Sequence, residues 1–346
     1  MLLERFQQGF ESAFGTPEMS GSIRSEAAHF QVEEELGFEP CGEGEHCFIL
    51  IQKTGENTEA VARKLARFAG VPAKLVSYSG LKDRNAVTTQ WFGVHLPKRD
   101  SFDWAEINEP GLEVLEQTWH RKKLRRGVHQ VNRFQITVTN LVGRCDEITH
   151  RLEKMKASGV PNYFGEQRFG FDGQNLVHAE ELLLKGKTIK KRHLRSIYLS
   201  SARSLLFNSV LSARVSKGSW NQALQGDLMI LEGTESFFPC DMEDESIKPR
   251  LDALSLHPSG PLWGKGGALP GSEVLAIEKK VLEDFQPICQ ALEKNDLSMQ
   301  RRSLRLAVND LHWEFSGQDN DALTLRFSLR RGGFATAVLK ELVNLS

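Results

Sequence analysis

The sequence predicts an α+β protein: one sheet domain whose chain is interrupted by an insertion. Strand patterns fill roughly the first 160 residues and return after about residue 305, whereas the chain between is mostly helical from about Asn175 to Trp220 and loop-rich from 222 to 280. The two terminal parts would then share a core. With 346 residues and 40% apolar content, the chain is long enough for two domains that bury their cores without disulfides.

The elements read as follows. "HFQVEEEL" alternates Phe30, Val32, Glu34 and Leu36 at strand period, and "HCFILIQK" reads as a buried strand closed by the turn residues of "TGENT". "EAVARKLARFAG" sets Ala60, Val61, Leu65 and Phe68 at helical spacing; Asn57 or Thr58 can cap its first turn, and Gly70 with Pro72 ends it. "AKLVSYSG" and "TTQWFGVHL" are strands, and "GLKDRNAV" lies in the loop between them, where a rigid scaffold commonly presents reactive groups. An acidic, less regular stretch follows. "RFQITVTNL" (Arg133 to Leu141) alternates as a strand and leads to a helix from about Asp146 to Ser158. "GVPNYFGEQRFGFDG" has the Gly, aromatic and turn content of a boundary or a site. "ARSLLFNSVLSARV" is the clearest helix of the middle, "SLRLAVNDLHWEF" and "ALTLRFSL" are late strands, and the chain ends in the helix "FATAVLKELVN", entered through Gly332 and Gly333.

A net charge of -1 gives no global basic field of the kind that marks a nucleic-acid binder. The charges are segregated, however. Positive residues gather in "HRKKLRRGVH" (His120 to His129), "KGKTIKKRHLR" (Lys185 to Arg195), "QRRSLR" (Gln300 to Arg305) and "RFSLRRGG". Each run alone reads as a solvated face, and together they permit a basic groove on a near-neutral protein. The five cysteines (Cys41, Cys47, Cys145, Cys240 and Cys289) are odd in number and widely spread, without zinc-ligand spacing, and read as free thiols. No HxH or HExxH pattern points to a catalytic metal. "MLLERFQQGFESAFG" lacks the apolar core of a secretory signal and no apolar run approaches a membrane span, so a mature cytoplasmic protein with no membrane partner is expected.

Three stretches carry candidate chemistry. In "GLKDR", Asp83 stands between Lys82 and Arg84; it reads equally as part of a surface ion pair or as a reactive carboxylate, able to act as nucleophile, general base or metal ligand beside a cation. "NYFGEQRFG" (Asn162 to Gly170) combines aromatics, glycines, a Gln and an Arg. That suits stacking on a flat ligand such as an unpaired base, and suits a packed interdomain turn equally well. "VNRFQ" puts Asn132 and Phe134 on one strand face, either as the start of a strand or as a pair that holds a heterocycle. "CGEGEH" has two glutamates and no lysine, and reads as a tight turn rather than a phosphate cradle.

Taken in order, "F-x-V-x-E" (Phe30 to Glu34), "GEGEH" (Gly42 to His46), "KTGENT" (Lys53 to Thr58), "GLKDRNAVTTQW" (Gly80 to Trp91), "NRF" (Asn132 to Phe134), "NYFGEQRFG" and "GGFATAVLKEL" (Gly332 to Leu342) resemble the TruD family of tRNA pseudouridine synthases nearly end to end. The resemblance implies a pseudouridine synthase catalytic domain with a mixed, mainly antiparallel sheet over residues 1–159 and 305–346, interrupted by an inserted α/β TRUD domain over 160–304. It implies conversion of a uridine in tRNA, position 13 in bacterial members, to pseudouridine, with no metal or organic cofactor and a monomeric enzyme. Carried over by motif, the catalytic aspartate is Asp83. Phe30, Asn132 and Phe334 fall on base-contacting positions, with Lys82, Arg24, Asn162, Tyr163, Phe164, Gln167 and Arg168 in the same cleft. Two positions depart from the family's pattern: Arg24 stands where a lysine is usual, and His29 where an aspartate usually precedes Phe30.

Such an isomerisation needs a group that engages the sugar or the base, and one carboxylate suffices: Asp83 would attack C1′, add to C6 of the ring, or take the C2′ proton. The base must first leave its stack, with Phe30 and Phe334 as stacking candidates, Asn132 on a uracil edge or neighbouring backbone, and Lys82 or Arg24 on a phosphate or on Asp83. The basic runs at 120–129 and 185–195 would hold the tRNA backbone. The alternatives are a non-catalytic tRNA-binding or folding-helper protein, and a nucleoside or glycoside hydrolase, for which no second carboxylate is evident near Asp83 in sequence.

Overall fold

The computed structural model describes residues 1–98 and 102–345. The chain folds into two compact units. One, the sheet unit, comprises Glu18–Ile148, Val308–Gly332 and Val343–Ser346; the other, the helical unit, comprises Met1–Pro17, Thr149–Ala307 and Gly333–Leu342.

In the sheet unit, the early alternations become strands because every second residue finds a core. The strands are β1 (Ser20–Ile23), β2 (Phe30–Leu36), β3 (His46–Thr54), β4 (Val76–Tyr78), β5 (Val87–His95), β6 (Leu112–His120) and β7 (His129–Val142). The sheet runs in the order Asn309–Ser316, Ala322–Arg330, β7, β2, β5, β3, β6, with β4 on β5 and β1 between β7 and Asn344–Leu345. Within it, β2 with β5 and β1 with Asn344–Leu345 are parallel and the other pairs are antiparallel. This is the mixed, mainly antiparallel sheet that was expected. The helix Thr58–Phe68 lays Val61, Leu65 and Ala66 on Ile49, Ile51, Phe92 and Val94. Asn57 is its N-cap residue, yet neither expected cap bonds the first turn through its side chain; the Thr58 hydroxyl is engaged elsewhere, at the site described below.

The helical unit is built on the helix Arg192–Ser216, which buries Leu199, Ala202, Leu206 and Val210 against Phe169, Leu176 and Leu292. Beside it lies a four-stranded antiparallel sheet of Phe237–Pro239, Leu228–Leu231, Leu256–Leu262 and Gln300–Ser303.

Three expectations need correction. The expected division put residues 1–159 with the sheet, but 1–17, 149–159, 305–307 and 333–342 belong to the helical unit. The physical reason at the N-terminus is aromatic: Phe6 packs on Phe169 and Phe10 stacks on Tyr163, with ring centroids 5.0 and 5.5 Å apart. The less regular stretch before residue 120 holds β6, a nine-residue edge strand in which Leu112 alone is buried, so its pattern is weak. The final helix stops at Lys340, and Asn344–Leu345 turns back as a strand beside β1, tied by Asn344 N donating to Met19 O at 2.8 Å.

Glu341 closes the helical unit over the N-terminal segment. It is fully buried, and its Oε2 accepts from Ala13 N at 2.8 Å and Phe14 N at 3.3 Å. Burial pushes its carboxyl from 4.5 up to about 7, against the opposing pull of those two amides, Lys340 and Arg151. The folded state thus binds this proton more tightly than the unfolded chain, and stability from this group is lost as pH rises from about 4.5 through about 7. Glu341→Gln should remove that loss. Urea denaturation is expected to show the wild type falling by at most about 3 kcal/mol relative to the variant across that window.

Candidate active site

Asp83 stands on a loop whose backbone is tied from several sides. Lys53 on β3 is fully buried and its Nζ donates to the carbonyls of Glu56 at 2.8 Å and Asp83 at 3.1 Å. Burial pulls that ammonium down to about 8, with Asp83 and Glu56 opposing. The Thr58 hydroxyl donates to Gln90 Oε1 and accepts from Lys82 N, while Gln90 Nε2 donates to Gly80 O. Arg84 turns away and clasps the neighbouring turn, its Nε on Gly55 O at 2.8 Å and its own carbonyl on Gly55 N at 3.1 Å. The loop therefore arrives preset.

The Asp83 side chain is 41% exposed, and Arg24 Nη2 donates to its Oδ2 at 2.7 Å. Among the described residues no hydrogen bond reaches Oδ1. Arg24 reaches this position from a left-handed backbone, φ 59°, a conformation that costs a residue with a Cβ about 1–2 kcal/mol. Its guanidinium lies 4.1 Å over the centroid of the Phe30 ring, which is 4% exposed and meets Phe134 edge-on. So Arg24 pairs with the carboxylate, as one of the expected alternatives had it. Phe30, expected to stack on a base, has Arg24 seated on its ring.

Beneath the loop, the pleat of β2 puts Glu34 on the same face as Phe30, directly opposite Asn132 of β7. Lys82 Nζ enters between them, 2.9 Å from Glu34 Oε2 and donating to Asn132 Oδ1 at 2.7 Å. Glu34 is 2% exposed, and its carboxyl is raised by burial, with Lys82 opposing. His129 Nδ1 lies 3.8 Å from the same carboxylate and bonds the Ser79 hydroxyl. Burial, Lys82 and Arg331 hold His129 down to about 4, so it is a neutral imidazole at pH 7. Gly80 makes room for this group: a Cβ there would lie 3.3 Å from the His129 ring and 3.5 Å from Lys82 Nζ.

In the helical unit, Phe164 is the centre of a second cluster. Arg302 lies 4.2 Å over its ring and Arg168 5.3 Å, with Phe334 at 6.0 Å and Phe207 edge-on at 5.6 Å. Asn208 fixes the Phe164 backbone from both sides, donating to its carbonyl and accepting from its N–H. Gly165 is needed here, because a Cβ would sit 2.5 Å from Thr336 Oγ1 on the helix Ala335–Lys340. Phe334 precedes that helix and is partly buried against the core. Gln167 and Arg168 are exposed, the latter held by Ser200 and Ser204. Asn162 and Tyr163, expected to line a cleft, are instead engaged in the core: Asn162 on Ser303 O and Arg302, and Tyr163 OH on Glu11 O, at 6% and 3% exposure.

Sequence reasoning missed Lys53, Glu34, His129 and Arg302. Lys53 had a signal, its place in "KTGENT", and Glu34 had its place in "F-x-V-x-E". Arg302 lay in a basic run that reads as solvated, yet burial and the charge of Arg168 pull it down to about 9.

Comparison with known proteins agrees with this architecture. A solved structure of a candidate tRNA pseudouridine synthase D (TruD) from Methanosarcina mazei superposes with a TM-score of 0.77 over 98% of this chain and 97% of that one, at 20% identity. The chain thus has the α+β fold of that class of protein. The family model described as tRNA pseudouridine synthase D (TruD) matches residues 11–190 and 174–342. A tRNA pseudouridine synthase D of Methylococcus capsulatus is 47% identical over 331 residues, covering 96% of this chain and 93% of that protein, and one of Stutzerimonas stutzeri is 45% identical over 334 residues, covering 96% of each. The chain belongs to the TruD family.

Proposed function

We propose that this protein is an isomerase that converts uridine to pseudouridine in tRNA, at position 13, by flipping the base and rearranging its glycosidic bond at Asp83. The observation that carries the reading is the Asp83 carboxylate on its preset loop, with Oδ2 anchored by Arg24 and Oδ1 open. All three routes, attack at C1′, addition to C6 and removal of the C2′ proton, use that open oxygen. In each, the N1–C1′ bond breaks, the uracil turns, C5 bonds to C1′, and the proton lost from C5 is balanced by one gained at N1. Nothing is oxidised.

Hydrolysis is disfavoured because it calls for a second carboxylate as acid. The carboxylate that the sheet brings beside the loop, Glu34, is buried against Lys82. A base reaching Phe30 would have to share its ring with Arg24; Phe334, a stacking candidate by the resemblance, has a partly exposed ring in the helical unit. Phe334→Ala should weaken substrate engagement by about 1–3 kcal/mol if it stacks on the base, read as the KM for tRNA. The basic runs at 120–129 and 185–195, in which Arg121, Lys122, Lys123, Arg125, Lys190 and Lys191 are exposed, are proposed to hold the phosphate backbone. The enzyme is proposed to act in the cytoplasm as a monomer, without metal or organic cofactor. Among the described residues no helix is long and apolar enough to cross a membrane.

The test is incubation with tRNA labelled in its uridines, followed by digestion and nucleoside analysis. One pseudouridine per tRNA, mapping to position 13, is expected; free uracil, or no change at any site, would overturn the reading.

A further inference from the structure

The polar groups under the Asp83 loop determine how one amide is turned. Lysine has three donors and no acceptor, so the atom its ammonium meets must be an acceptor, which in an amide is the oxygen. Lys82 Nζ meets Asn132 at 2.7 Å, so that atom is Oδ1 and the other end of the amide is the NH2. Lys82 is in turn held at 2.9 Å by Glu34, which lies across from Asn132 in register on the adjacent strand. All three are nearly excluded from water: 0% and 7% for the Glu34 and Lys82 side chains, and 9% for Asn132. A buried ammonium needs a counter-charge to stay in place, and Glu34 supplies it. The titratable groups facing Glu34 are Lys82, 2.9 Å away, and His129, 3.8 Å away, with the Ser79 hydroxyl and the Trp91 backbone as neutral neighbours. His129 is neutral at pH 7, which leaves Lys82 as the cation that answers the carboxylate.

We infer that Glu34 is a positioning residue: through Lys82 it fixes the Asn132 amide with Nδ2 outward, making Asn132 a hydrogen-bond donor to an oxygen of the nucleotide. The inference rests on reading Asp83 as the centre of a uridine isomerase. It gives Asn132 a definite polarity. The group it recognises is an acceptor, a uracil carbonyl or a sugar or phosphate oxygen, and not the N3–H of the ring, which is a donor. A pyrimidine edge read in this way is discriminated by where its oxygens lie. Glu34 itself touches no substrate and acts through two side chains.

Two variants test this. Asn132→Asp keeps the shape and the oxygen for Lys82 but turns an oxygen outward in place of the NH2. Its single-turnover rate of pseudouridine formation should fall about 100-fold in a protein that still folds. A rate like that of the wild type would overturn the assigned polarity. Glu34→Gln should slow single turnover about tenfold or more while the Kd for tRNA changes little, and should slow it no further when added to Asn132→Ala. A merely structural role would lower the rate by the same factor in both backgrounds, and that result would overturn the positioning role. Should Glu34→Gln not fold, the Asn132→Asp result decides alone. A wild-type protein that forms no pseudouridine in the same assay would instead sink the functional reading on which the inference stands.

Discussion

Asp83→Asn is expected to abolish pseudouridine formation, by about 10³-fold or more in single turnover, while tRNA affinity stays within a small factor of the wild type. The substitution keeps the volume of the side chain and an oxygen that can accept from Arg24, so the loop should hold its shape. The loop does not depend on this carboxylate: Lys53 bonds the Asp83 backbone carbonyl, and Gln90 and Thr58 bond Gly80 and Lys82. What disappears is a negatively charged oxygen able to attack, add or take a proton. Paired measurements of nucleoside conversion and filter binding would separate an enzyme from a protein that only holds RNA. Conversion that survives the substitution would remove Asp83 from the mechanism, and binding lost in parallel would show that the aspartate serves structure.

The largest stability effect should come from the opposite kind of residue, Arg214, which is 1% exposed in the helical unit. Its guanidinium makes a two-pronged pair with Asp227, both bonds 3.0 Å, and also donates to the carbonyls of Ser219 and Gln222 and to the Ser219 hydroxyl. Arg214→Ala would leave a fully buried carboxylate without its cation and take the guanidinium donors from two carbonyls. Breaking one side of such a pair costs about 3–5 kcal/mol, a large share of the 5–15 kcal/mol typical of a folded protein. A large fall in the urea midpoint is expected. Replacing the exposed Arg144, which pairs with Asp146 at the surface, should leave the midpoint where it was.

The order of strands and helices was legible because strands such as β2 alternate, others such as β3 are short apolar runs closed by turn residues, and the long central helix is a sustained apolar stretch. What was not legible was pairing across distance. Asp83 could be singled out because its motif recurs in a resemblance spanning the chain, but no local pattern says that Arg24, 59 residues earlier, would be its partner rather than Lys82 beside it. Adjacent residues can point apart, and here Lys82 goes inward to Glu34 while the Asp83 side chain stays out with Arg24; Arg84 goes to Gly55. The alternation put Glu34 on the face of Phe30, Val32 and Leu36, but only the register of β2 on β7 shows that it lies opposite Asn132. Asn162 and Tyr163 erred in the other direction: residues suited to stacking on a ligand are equally suited to a core. β6 escaped notice because an edge strand with a single buried residue carries almost no alternation.

The helical unit draws on three separated stretches of chain, the last being Gly333–Leu342. On the ribosome, the first 17 residues and the long central stretch emerge well before the segment that carries Glu341. Until then the backbone N–H groups of Ala13 and Phe14 lack their carboxylate and Lys340 cannot donate to Phe10 O. Nascent chains halted shortly before residue 333 would therefore display an unfinished apolar core, a natural client for chaperones. Completion of the helical unit falls to a segment made after the stretches it closes over.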